Sequence, residues 1–437
     1  LRTRRVAPAF AVAVAVACAA PSATAQVPTA VLEHAWSEVG TPHVRVLTDA
    51  GIARAAHVAE QLERLHEQVA RTVPALARES ARPRTVFVFA SEATYRHYLP
   101  TFGGRAEDAA GVFQPGPRGD WLLLADAPDE ALDRVALHEY THALVRSVTP
   151  NAPLWLNEGL AQYFSTLRVD AADARVGEPD PELLGWLGGH ELMPIETLVA
   201  MRYESADYHA GEGRETFYAE SWLLAHMLLN ENPGDLPRWA QYLEALRRGD
   251  EPRAAFRASF GEERRLQWRL ELYAHRPGLR GLDWSFAQPF SALTLSRRES
   301  VPVAEVLDAL GEMLLWQPAA GPDAADAHLD AVRALEPEGA AARSLEAAIT
   351  ERRGWASSAP PPRARAERVA VTRGSLTRAA SATLEGAPPT AGELRRATAQ
   401  VHTDPPAARR ALRALLARPL APGTRSSVER MLRLLAP

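Results

Sequence analysis

Residues 137–145 read LHEYTHALV. On a helix His138 and His142 stand one turn apart on one face, where two imidazole nitrogens can be aimed at a single point. Neutral imidazoles so placed make half of a divalent-metal site, and zinc takes such nitrogens at about 2.0–2.1 Å. Glu139 follows the first histidine, and one helical step of about 100° sets it beside that point rather than on it. From there a carboxylate can hold and deprotonate a water that a metal has made acidic. An ordinary core helix carrying polar residues is the alternative. A chain of this length and composition shows the pattern by chance in roughly two cases of a hundred, so what surrounds it must decide. A catalytic zinc needs a third protein ligand, with a fourth position left to water.

The elements that would hold these residues can be read from periodicity. Residues 43–49, 84–91 and 119–126 read as strands, 51–73 as a helix, and 92–99 as a short helix. From 130 to about 275 the pattern is almost wholly helical. Asp129 is placed to cap a helix over 130–148, Pro150 and Pro153 end it, and a new helix starts near Trp155 or Leu156. Strands first and helices after imply an α+β fold rather than a parallel βαβ sheet: a small mixed or antiparallel sheet, then a mostly helical subdomain. Residues 277–300 read as a connector. Beyond them 303–318 and 324–349 read as helix pairs, with Pro337 closing the first helix of the second segment, and a further helical pair is expected at 391–436 after a Pro/Ala/Arg-rich stretch at 357–390. The chain thus divides into 1–25, 26–290 and an all-α, repeat-like region over 300–437.

PLWLNEGLAQYF (153–164) follows the first motif after the proline pair. HEYTH together with NEGLAQYF resembles the gluzincin zinc peptidases, in particular the small bacterial peptidase-MA-like proteins with HExxH and NEGxAxY, over roughly residues 40–275. The resemblance implies a zincin-type catalytic subdomain in which His138, His142 and Glu158 bind one Zn²⁺ per chain and Glu139 is the general base. The hairpin allowed by the prolines would return Glu158 to the metal. The related peptidases whose third ligand is a histidine six residues after the second, preceded by glycine, do not fit, because Val148 and Val145 hold those places. Asn157 and Gly159 would shape the turn into the ligand helix. The family also supplies a tyrosine to the oxyanion, and FYAESWLLAHML (217–228) resembles that segment, which makes Tyr218 the candidate, with Tyr208 and His209 as alternatives. Tyr218, Trp222 and Ala225 also share the spacing of a packed face, to which His226 would belong. The C-terminal helices are similar to degenerate tetratricopeptide repeats, which implies a surface for a protein partner.

The expected function is then an exported zinc-dependent metallopeptidase acting on a peptide or protein substrate by metal-activated water. A helical-repeat scaffold with a non-catalytic zinc domain and a zinc amidohydrolase acting on cell-wall amides are the alternatives. An intact Glu139 argues against the scaffold, since a structural site has no use for it. The absence of a GxMEN-like amine-recognition motif favours endopeptidase action. WLLLAD (121–126) reads either as an interior strand or as an edge that pairs with substrate backbone.

Composition sets the remaining bounds. At 46% hydrophobic, 24% charged and net charge −5, the chain has an ordinary globular balance and gives no reason to expect nucleic acid as a partner. All 49 basic residues are arginine, which reads as compositional drift rather than as basic patches. Arg2, Arg4 and Arg5 before an apolar stretch to Ala20, then Ala23-Thr24-Ala25, form a cleavable export signal and imply a secreted or periplasmic protein. Cys18 is the sole cysteine; lipidation there is the minor alternative, and no disulfide is expected beyond it. No later run reaches membrane-spanning length.

Overall fold

A computed structural model describes residues 26–358 apart from short gaps at 79–81, 103–104, 107–108, 210–211, 233–234, 277 and 318–319, together with 370–372, 405–418 and isolated positions beyond. The expected export signal with Cys18, most of the Pro/Ala/Arg-rich stretch and most of the 391–436 helical pair lie outside the described residues.

The fold is α+β. Helix α1 (Thr29–Glu33) leads into β1 (Trp36–Gly40), β2 (Arg45–Thr48), α2 (Ile52–Thr72), β3 (Arg84–Phe89) and α3 (Glu92–Tyr98). A two-residue ladder of β4 (Thr101–Phe102) and β5 (Arg105–Ala106) precedes the hairpin of β6 (Ala109–Pro115) and β7 (Asp120–Ala125). Helices α4 (Asp129–Val148) and α5 (Leu154–Phe164) follow, then the hairpin β8 (Arg168–Asp170) and β9 (Asp173–Val176). Next come α6 (Pro181–Gly189), α7 (Ile195–Ala200), α8 (Ala206–His209), α9 (Gly213–Asn230), α10 (Leu236–Arg247), α11 (Pro252–Phe260) and α12 (Glu263–Ala274). Strand β10 (Leu282–Ser285) joins β9, and β11 (Ser296–Val301) precedes α13 (Val303–Leu315), α14 (Gly321–Leu335), α15 (Ala340–Ser358), β12 (Ala370–Thr372) and a last helix Pro405–Leu416.

The main sheet runs β11-β1-β2-β3-β7-β6-β12. Its centre, β2-β3-β7, is parallel, while β1, β11, β6 and β12 are antiparallel to their neighbours. A parallel pair cannot be closed by a tight turn, so α2 makes the crossover from β2 to β3. The sheet is thus mixed, within the expected α+β class, and holds the β2-α2-β3 crossover rather than being a parallel βαβ sheet throughout. Central strands buried on both faces read as unbroken apolar runs, as in Val86-Phe87-Val88-Phe89 and Leu122-Leu123-Leu124. Alternate side chains go to opposite faces. Val86, Val88, Leu122 and Leu124 pack under α2 and α4, while Phe87, Phe89 and Leu123 pack against α13–α15.

Two local expectations change and one open alternative is decided. Asp129 is the first residue of α4 rather than its cap; Pro128 holds the cap position without a side-chain bond, and Asp129 instead pairs with Arg54 at 2.6 Å. Strand β7 lies between β3 and β6, so WLLLAD is interior and offers no edge to a substrate. Residues 277–300 are more than a connector, since they supply β10 and the start of β11. Among the described residues no helix is long and apolar enough to cross a membrane.

Candidate metal centre

Helix α4 ends where Thr149 closes on the Val145 carbonyl, and the Ala152 N–H then bonds the Thr149 carbonyl. Pro153 stands at the cap position of α5, and the chain turns back so that the two helices pack together. This hairpin carries Glu158 against the histidines. His138 Nε2 lies 3.8 Å from Glu158 Oε2, the His138 and His142 rings sit 4.8 Å apart at 75°, and one donor atom from each of the three lies within 4.8 Å of the others. All three side chains are buried.

The rotation of α4 is fixed from its other side. Tyr140 Oη lies 3.2 Å from His66 Nδ1 and accepts from Arg84 Nη1 at 3.4 Å, and Arg84 Nη2 donates to Ser147 Oγ at 2.7 Å. With Tyr140 and Ser147 held on that side, His138, Glu139 and His142 are turned towards β6 and α5. Glu139 Oε2 accepts the Phe113 N–H of β6 at 2.7 Å, and the Phe113 ring lies nearly parallel to that of His142 at 6.5 Å. Gly111 makes room for this contact: a Cβ there would stand 2.3 Å from Val135 Cγ1 and 3.1 Å from Glu139 Cγ.

Helix α5 is wedged between α4 and α9. Gly159 lies inside α5, not in a turn before it, as does Asn157. A Cβ on Gly159 would meet the Ser221 carbonyl oxygen of α9 at 2.4 Å, so the missing side chain is what lets α9 approach the ligand helix. Asn157 acts on His142. Burial lowers the His142 pKa to about 4, and the Asn157 side chain, within hydrogen-bonding reach, works the other way. His138 is driven well below the ordinary value by burial, then by His142 and the Arg134 guanidinium. Both rings are therefore neutral, which is the form that binds a metal.

The residues suit a divalent metal on their own chemistry. Among the described residues, His138 Nε2 and both His142 nitrogens are buried with no hydrogen-bond partner at ordinary geometry. An unsatisfied buried acceptor costs about 1–3 kcal/mol, and a shared cation removes that cost. Two donors about 2.1 Å from one ion stand about 3.4 Å apart at the tetrahedral angle. The observed set closes to that with side-chain shifts of about an ångström. Two nitrogens and one carboxylate oxygen, with one corner left over, are the donor types and count of a catalytic zinc site.

Tyr218 lies in α9, partly buried with its hydroxyl enclosed, and its pKa is raised well above the ordinary value by burial and next by the Glu158 charge. Tyr208 stands close enough to hydrogen-bond it. Of the alternatives, Tyr208 is buried beside this pair, whereas His209 is exposed and its Nε2 bonds the Tyr203 carbonyl at 2.6 Å. His226 belongs to the packed interior, bonded to Tyr273 Oη at 2.8 Å. Tyr203, in the loop after α7, is a site residue that sequence reasoning missed: its hydroxyl donates to Glu158 Oε1 at 3.4 Å. No period or motif marks a lone loop tyrosine.

Glu220, two residues beyond Tyr218, secures the segment before α7 by accepting the Met193 N–H at 2.9 and 3.1 Å. Burial raises its pKa from the ordinary 4.5 to about 8, against the smaller opposing effect of that N–H. The folded protein holds this proton more tightly than the unfolded chain. Its contribution is therefore fully present below about pH 4.5 and is lost as pH rises through about 8. Glu220→Gln keeps an acceptor for Met193 and has no charge to bury. Its thermal midpoint should exceed the wild type's by several degrees at pH 9 and match it at pH 4–5; a lower midpoint at pH 9 would mean that the ionised carboxylate is what holds Met193.

No protein-family model and no curated protein matches this chain.

Proposed function

We propose that the chain is a zinc-dependent peptidase of the gluzincin type, with His138, His142 and Glu158 as the metal ligands and Glu139 as the general base. The observation that carries this is the convergence of two neutral imidazoles and a carboxylate in one buried cluster, with the buried carboxylate of Glu139 next in sequence to the first imidazole. When bound, a divalent ion there makes a water acidic enough to attack near neutral pH and polarises the carbonyl under attack.

The chain's own residues do the rest. The Phe113 N–H holds one oxygen of Glu139, which fixes the plane of the carboxylate. Glu139 takes the proton from the attacking water and returns it to the departing amine nitrogen as the C–N bond breaks. Burial keeps Tyr218 in its hydroxyl form, so it has a proton to donate to the carbonyl oxygen as negative charge develops there. Tyr203 engages Glu158 Oε1, which leaves Oε2 as the atom facing His138. An amidohydrolase acting on cell-wall amides would use the same ligands, so substrate must separate the two.

The test is metal analysis of the purified protein with casein and muropeptide digests run in parallel. One zinc per chain is expected, with casein cleavage abolished by a chelator and restored by zinc. Cleavage by metal-free protein, or of muropeptides alone, would overturn the assignment.

A further inference from the structure

Strand β6 leads directly into the candidate site, because its Phe113 N–H is bonded to Glu139. On one side β6 pairs with β7, from Gly111 opposite Leu124 to Pro115 opposite Asp120. On the other side runs β12, antiparallel, with Ala370 opposite Val112 and Thr372 opposite Ala109 and an irregularity between them. The antiparallel direction puts Ala370 at the Phe113 end. The ladder thus begins one residue along β6 from the amide that holds Glu139.

β12 comes from far along the chain, within the stretch dominated by proline, alanine, arginine and serine. Inside that stretch RVAVTRG (368–374) is the run richest in β-branched residues, the kind that favour extended backbone. A sheet edge recognises an extended peptide by main-chain hydrogen bonds and accepts one strand at a time. We propose that residues 370–372 are a cis-acting strand that covers the β6 edge and competes there with the backbone of an extended peptide on its way to the metal centre. The competition with substrate rests on the peptidase reading; the occupancy of the edge does not.

The size of the contact suits this role. Three residues make few hydrogen bonds, so the grip of the strand on β6 is weak residue for residue. Tethering within one chain raises its effective concentration well above that of a free peptide of the same sequence. A strand held in this way blocks peptides that bind the edge poorly and yields to those that also fill side-chain pockets.

The experiment uses the full-length chain with Ala370→Pro and Thr372→Pro together, which removes the amide hydrogens at both paired positions. Amide exchange is followed residue by residue, and a fluorescently labelled peptide of residues 367–374 is titrated into both proteins. In the variant, exchange in β6 should accelerate at least tenfold while β2 and β3 are unchanged. The labelled peptide should bind the variant at least tenfold more tightly, and casein hydrolysis should rise mainly through a lower KM. Unchanged β6 exchange, or equal peptide affinity for the two proteins, overturns the proposal. If exchange and peptide binding change as expected but neither protein hydrolyses casein, the strand stands and the peptidase reading falls.

Discussion

If the proposed peptidase reading holds, Glu139→Gln should give a folded, metal-binding protein whose peptide hydrolysis is lower by about 10²–10⁴-fold, the usual worth of a positioned proton-transfer group. The substitution is informative because it is structurally quiet. The amide oxygen of glutamine still accepts the Phe113 N–H that Glu139 Oε2 accepts at 2.7 Å, so β6 and α4 keep their contact. Its volume is the same, so Gly111 and Val135 need not move. What disappears is the basic oxygen. The loss should fall on kcat, with KM and zinc content near the wild type's, because the group acts on the proton in flight and not on bound substrate. Activity within a few-fold of the wild type would remove Glu139 as the base.

Glu158→Ala acts on the other half of the site. It removes the only anionic donor of the three, and zinc affinity should fall at least about a thousandfold, or about 4 kcal/mol. Metal-free protein should not be harmed to the same degree. Without a cation, Glu158 is a fully buried carboxylate at 3.8 Å from a neutral imidazole, and such a group is costly to keep in the interior. Zinc should therefore raise the melting temperature of the wild type strongly and that of the variant little, by binding to the folded state alone. A chelator competition reads the affinity directly. Stoichiometric zinc kept at nanomolar free metal would exclude Glu158 as a ligand.

The parts of this site that were legible in the sequence are those set by local geometry. His138, Glu139 and His142 lie within one helical turn, so the 3.6-residue period alone places them. The α4–α5 hairpin was legible because Pro150 and Pro153 punctuate it. What escaped depends on pairing between distant segments. AAGVFQP is β6, yet alanine, glycine and proline are residues that strands disfavour, and only the ladder with β7 makes it a strand. SRRESV carries mostly exposed polar side chains, so nothing in its pattern announces β11, which exists because β1 lies beside it. Gly159 shows the same limit: the sequence offers a glycine, and its reason is the Ser221 carbonyl of a helix about sixty residues later. Tyr203 and Phe113 reach the site by tertiary contact alone.

The sheet that supports the metal centre has no face left to solvent over its middle strands. Val86 and Leu122 point one way, under α4, and Phe87 and Leu123 point the other, against α13–α15. Neighbouring residues of a single strand therefore anchor the histidine-bearing helix above and the helical layer below. A protease nick or truncation that strips the lower layer would leave a greasy aromatic plate facing water, and the upper layer would lose its flooring at the same moment. Melting of this protein should accordingly be felt at the histidines and at Leu307 and Leu310 together, in one concerted event.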